Sequence, residues 1–138
     1  MDRVKKMVHY WCDDIKKAGL TGKGVTVAVL DTGLAPHPDF KSRVIGWRDC
    51  IYRKEKCYDD NGHGTHVTGI LAGDGRMSSG RYTGAAPGCS IIALKVLDRY
   101  GNGSREDLLQ ADTIVKKLKN GILAKEIFTN VKDSSIDY

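Results

Sequence analysis

Two runs decide what this chain can fold into. Val25-Thr-Val-Ala-Val-Leu30 and Ile91-Ile-Ala-Leu-Lys-Val-Leu97 are apolar almost throughout, rich in β-branched residues and bounded by turn residues. A strand with one wet face alternates apolar and polar side chains, whereas a strand covered on both faces has no reason to alternate. That second condition is met in parallel sheets whose faces carry helices. Val44-Ile-Gly-Trp-Arg-Asp49 reads as a further short strand. Helical spacing of Val4, Met7, Val8, Trp11 and Ile15 predicts an amphipathic helix over Met1–Ala18, stopped at Gly19. Ser104, with Asp107 three residues on, is the N-cap of a helix carrying Leu108, Leu109, Ala111, Ile114, Val115 and Leu118.

Composition narrows the function classes. At 138 residues the chain is one domain by length, and 41% hydrophobic with 28% charged residues is ordinary for a globular protein with a real core. The net charge of +5 comes from short basic stretches at 3–6, 53–56 and 116–119, each interrupted by apolar or acidic residues. They read as solvated faces, so neither nucleic acid nor membrane is expected as a partner. No run approaches the roughly 20 apolar residues of a membrane helix, and the N-terminus lacks an apolar signal core. The expected location is therefore cytoplasmic, or secreted if a leader was removed upstream. Four cysteines, Cys12, Cys50, Cys57 and Cys89, form no C-x-x-C pair and no metal framework. Cys50 and Cys57 could bridge a short loop in an exported chain, and otherwise stay reduced.

The chemistry-bearing stretch is Asn61–Gly73. Asn61 can cap a helix, Val67, Ile70 and Leu71 would form its buried stripe, and the small residues at 64, 69, 72 and 73 would let it lie close to a sheet. His63 then falls in the first turn, where the helix dipole disfavours imidazolium unless a carboxylate stands beside the ring. A neutral ring there is a general base. Asp31 follows the first buried strand, at the end where open α/β sheets place their chemistry, although an Asp-Thr-Gly segment can equally be a turn. A zinc reading of His63-x-x-His66 is weak, with no third ligand in register and no Glu between the two.

Gly62-His-Gly-Thr-His-Val-Thr-Gly69 closely resembles the histidine motif of the subtilisin-like serine proteases, the subtilases or peptidase family S8. Gly22 to Leu34, with His37-Pro38-Asp39 downstream, is similar to that family's aspartate motif. A Gly84-x-Ala-Pro87 turn leading into a strand that ends Lys95-Val-Leu-Asp98 also fits the family pattern. The resemblance implies a three-layer α/β fold, a parallel sheet with helices on both faces, and a triad to which Asp31 and His63 belong. It makes His66 a structural neighbour with an internally packed ring, and makes Gly101, Asn102 and Gly103 main-chain contacts for a peptide or protein substrate. Some members bind calcium through the aspartate of the His-Pro-Asp segment. The loop Gly73–Tyr82 offers few oxygen ligands, so no metal or cofactor is expected.

The resemblance runs over roughly residues 8 to 111 and divides the chain into 1–111, the N-terminal part of a subtilase catalytic domain, and 112–138, a divergent or truncated tail. The tail holds neither an oxyanion Asn segment nor a Gly-Thr-Ser nucleophile motif. Ser90 in Gly-Cys-Ser is the nearest imitation, and it precedes a buried strand. The implied protein is thus a serine endopeptidase fragment with the triad Asp and His, inactive alone, its sheet incomplete on the C-terminal side and open to a complementary C-terminal fragment. The tail is expected to add at most one weak strand and no covering helix. Two other readings remain: a non-catalytic peptide-binding module or pseudoenzyme, and a dimeric aspartic protease using Asp31 of Asp-Thr-Gly.

Overall fold

β-branched runs favour extended backbone, and here they pair into one sheet. The computed structural model describes residues 2–7, 12–128, 131–132 and 135–136. In chain order the elements are α1 (Asp2–Met7), α2 (Cys12–Lys17), β1 (Thr26–Asp31), β2 (Val44–Asp49), α3 (His63–Ala72), β3 (Ser90–Lys95), α4 (Arg105–Lys119), α5 (Ala124–Ile127), β4 (Val131–Lys132) and β5 (Ser135–Ile136). The helix expected over Met1–Ala18 is represented by α1 and α2, and residues 8–11 lie outside the described residues.

The main sheet has the order β1-β3-β2 and is parallel throughout. Asp31 of β1 and Asp49 of β2 both stand in register with Lys95 of β3. Because β3 is central, successive side chains enter two different cores. Ile91 and Ala93 pack with Leu34, Phe40, Val44, Trp47 and Ala72 of α3. Ile92 and Leu94 pack with Ala111 and Ile114 of α4 and with Phe128. Helices therefore cover both faces, which is the three-layer arrangement expected of the two apolar runs.

α3 buries a different stripe from the one its hydrophobic pattern suggests. Gly64, Thr68 and Ala72 face inward, Val67 and Leu71 are half-buried, and Ile70 is 37% exposed. The reason is distance: a Cβ at Gly64 would lie 2.3 Å from the Gly33 carbonyl oxygen, so the helix backbone rests almost directly on the end of β1. Only small residues fit such a contact, and larger apolar ones are displaced to its flanks. Thr68 fits because its hydroxyl donates to the Gly64 carbonyl at 2.8 Å.

The tail also departs from expectation. α4 runs unbroken past position 112 to Asn120. A covering segment does follow it: α5 leads into Phe128, which is 2% exposed and lies so close on β2 that a Cβ at Gly46 would meet its ring at 2.6 Å. β4 and β5 add a two-residue antiparallel pair, with β5 alongside β2. Among the described residues no helix is long and apolar enough to cross a membrane.

Candidate active site

Asp31 closes β1, and its carbonyl accepts the Val96 and Leu97 amides at 3.0 and 3.2 Å, fixing the strand end. Its carboxylate Oδ1 accepts the Thr32 amide at 2.7 Å and lies 2.8 Å from His63 Nδ1. His63 is the first residue of α3, and the close seat of Gly64 on Gly33 is what brings its ring to the strand end. With a carboxylate at Nδ1 the proton resides on that nitrogen, and Nε2 is left with a lone pair. The Asp31 side chain is 13% exposed and that of His63 is 63% exposed, so a shielded carboxylate holds an accessible ring. The hydrogen bond to Asp31, and then its charge, raise the imidazole pKa, with desolvation acting weakly the other way. This is the carboxylate a histidine at a helix N-terminus needs.

Three further charged residues build the scaffold, and motif reading missed all of them. Asp59 is the joint between β1 and α3. Its Oδ1 accepts from the Thr32 hydroxyl at 2.8 Å and the Gly62 amide at 2.8 Å, and its Oδ2 accepts from the Thr65 amide at 2.9 Å and hydroxyl at 2.6 Å. Burial would raise this carboxyl, but the hydrogen bonds from Thr65, Gly62 and Thr32 outweigh it and hold the pKa at about 2. The capping expected of Asn61 is thus shared: Gly62 is the cap residue, in left-handed conformation with φ of 101°, and Asn61 accepts only the His63 amide, at 3.1 Å. Asp49, 1% exposed, gathers the turn after β2 by accepting the Ile51 and Tyr52 amides, each at 2.9 Å, and the Tyr58 hydroxyl at 2.5 Å. Lys95 is 0% exposed behind Thr32. The only signal for any of them was a charge inside an apolar run, as at Lys95.

Of the other residues singled out by sequence, His66 is exposed rather than internally packed. It stands two positions from Gly64, roughly 200° round the helix, and so faces away from the sheet. Together with His37, Phe40, Ile70 and Tyr82 it lines a shallow surface depression of about 470 Å³. Gly101, Asn102 and Gly103 form an exposed loop beside the site. Asn102 engages Asp98 through both main-chain groups, its amide at 3.0 Å and its carbonyl at 2.7 Å. Asn61 Nδ2 donates to the Arg99 carbonyl at 2.9 Å and ties this loop to the His63 turn. Ser90 pairs in register with Thr26, at the opposite end of the sheet from Asp31. Five strand residues put it about 16 Å away.

Cys50, Cys57 and Cys89 are buried free thiols, so no bridge joins 50 to 57. Burial pushes Cys57 up to about 12 and leaves it unreactive. Asp39 accepts the Met77 amide at 2.9 Å, and Asp74 pairs with Arg76 at 2.9 Å. Among the described residues no three His, Cys, Asp or Glu side chains are placed to hold a metal, and this loop does not fit a calcium ion.

Residues 22–122 match the Subtilase family, Peptidase_S8. The chain is 53% identical over 91 residues to serine protease AprX of Bacillus subtilis (strain 168), covering 66% of this chain and 21% of that protein. It is 44% identical over 92 residues to subtilisin Savinase of Lederbergia lenta, covering 67% of this chain and 33% of that protein. Among solved structures, a cold adapted subtilisin-like serine proteinase superposes with a TM-score of 0.62 at 30% identity, covering 71% of this chain and 34% of that one. The chain thus spans 21% of the first of these relatives and 33% of the second.

Proposed function

The chain belongs to the subtilase family, and from that premise we propose that it is the aspartate- and histidine-bearing portion of a serine-type endopeptidase catalytic domain. The observation that carries this reading is the 2.8 Å contact between Asp31 and His63 Nδ1. In the complete site His63 Nε2 takes the proton of a serine hydroxyl and later returns it to the leaving amine. Asp31 holds the ring in the required tautomer and stabilises the imidazolium that forms. Peptide or protein substrate runs along the loop Gly101–Gly103, where main-chain groups around Asn102 pair with it while Asn102 braces the loop through Asp98. Neither serine nor oxyanion donors of the family kind lie within the 138 residues, so a complementary C-terminal segment supplies them.

The absence of a usable serine from these residues favours the second reading, a peptide-binding module without catalysis. An aspartic protease dimer is disfavoured, since its Asp-Thr-Gly carboxylate would face a second Asp31 and not an imidazole. The deciding experiment joins the chain to a segment carrying the serine half and assays peptide cleavage and labelling by a fluorophosphonate probe. Cleavage should need both parts and fall about 10⁶-fold in His63→Ala and about 10⁴-fold in Asp31→Ala, as dissection of such triads finds. The 138 residues alone should not be labelled; stoichiometric labelling of any of their serines would overturn the proposal. Peptide binding without cleavage by the joined protein would install the second reading.

A further inference from the structure

Lys95 is wholly buried, yet its ammonium lies at the point where the two limbs of the candidate site meet. Its Nζ donates to the Thr32 carbonyl at 2.5 Å, to Asp60 Oδ1 at 2.8 Å and to the Leu97 carbonyl at 2.8 Å. It also stands 5.2 Å from the centroid of the Tyr58 ring. All three N–H bonds of the ammonium are therefore used, two on carbonyls and one on a carboxylate. Thr32 is the residue whose amide orients the Asp31 carboxylate, and Asp60 lies three positions ahead of His63 in the turn that carries it. An ammonium taken out of water at a cost of several kcal/mol is kept only where its acceptors are fixed and good. An apolar side chain would fill the same space without that cost.

We propose that Lys95 is a positioning residue for the Asp31–His63 pair, locking the register of the strand end that bears the carboxylate against the turn that bears the imidazole. It touches neither substrate nor the reacting atoms and acts through Thr32 and Asp60. The inference rests on the proposed protease site.

The test reads the pair itself and needs no serine half. The titration of His63 and its Nδ1 proton are followed by NMR in the chain and in Lys95→Met, with His37 and His66 as internal controls. The charged groups bearing on His63 are Asp31 and, more remotely, Asp59. The sign of the change is diagnostic. Removing a nearby cation while the geometry stays intact would raise the His63 pKa; loosening the Asp31 contact lowers it and broadens the Nδ1 proton signal by exchange with water. The expected result is a fall in His63 alone, with His37 and His66 unmoved and the fold retained by circular dichroism. A rise, or no change, would overturn the proposal. Lys95→Gln, which keeps two N–H donors without the charge, serves if Lys95→Met does not fold, and the same fall is expected. Asp31→Asn separates the two levels: if it leaves His63 unmoved the site reading itself fails, and if it lowers His63 while both Lys95 variants leave it alone only the role of Lys95 fails.

Discussion

A histidine at a helix start would ordinarily be held neutral by the dipole, and Asp31 reverses that bias at His63 by hydrogen bond and charge together. Asp31→Asn should therefore lower the His63 pKa toward the ordinary imidazole value of about 6.5, observable by NMR titration. The sign for stability follows. A pKa raised in the folded state gives a contribution fully present below about pH 6.5 and lost as pH rises through the higher folded value. The wild-type chain should thus exceed Asp31→Asn in melting temperature more at pH 6 than at pH 9; an equal gap at both would mean that the pair is not titrating. Asp31 and His63 were legible in sequence because each sits in a contiguous motif with its own local signals, a buried strand end and a helix start. Asp59 and Lys95 were not, since their partners lie on other segments and only the packed fold brings Thr32, Thr65 and Asp60 to them.

The element that sets the site is α3, and its position depends on how near a helix backbone can come to a strand end. Gly64→Ala places a methyl 2.3 Å from the Gly33 carbonyl oxygen, a backbone atom with no means of yielding, whereas a Cβ at Gly69 on the same helix meets nothing within 4 Å. Overpacking predicts that Gly64→Ala destabilises by about 1–3 kcal/mol, and helix propensity predicts that Gly69→Ala stabilises by up to about 1 kcal/mol. Denaturant midpoints of the two variants check both signs. Asp59 supplies the second fastening, and its carboxyl, held at about 2, contributes stability that is present above the unfolded value of about 3.9 and lost as pH falls through the folded one. Asp59→Asn should flatten the acid limb of an unfolding curve followed by circular dichroism. Strands and helices were readable from apolar period and caps, as at Ser104, whose hydroxyl accepts the Asp107 amide at 3.1 Å. The buried stripe of α3 was not, because periodicity ranks side chains by hydrophobicity while this contact selects them by size.

At the scale of the whole molecule the sheet stops abruptly. β1 ends the order β1-β3-β2 and has no partner on its outer side among the described residues, which leaves backbone donors and acceptors along that edge. Beside it an open groove of about 730 Å³ runs between β1 and the α4–α5 turn, lined by Val27, Ala28, Ile92, Val115, Leu118 and Ile122. Leu108 and Leu109 of α4 are 51% and 53% exposed. An apolar groove continuous with a free strand edge draws in dye or a second chain, so the 138 residues by themselves should bind a hydrophobic dye and self-associate as concentration rises. The tail works against this on the other side of the sheet. Phe128, 2% exposed against Gly46, covers β2, and Phe128→Ala should cost about 3–5 kcal/mol while increasing dye binding. A concentration-independent, cooperative melt from a monomer that binds no dye would show that the open edge is closed in solution. A Phe128→Ala variant with unchanged stability would instead show that residues 124–128 do not belong to the core. The two outcomes are separable because β1 and β2 are opposite edges of the same sheet, and only the β2 edge is covered by the tail.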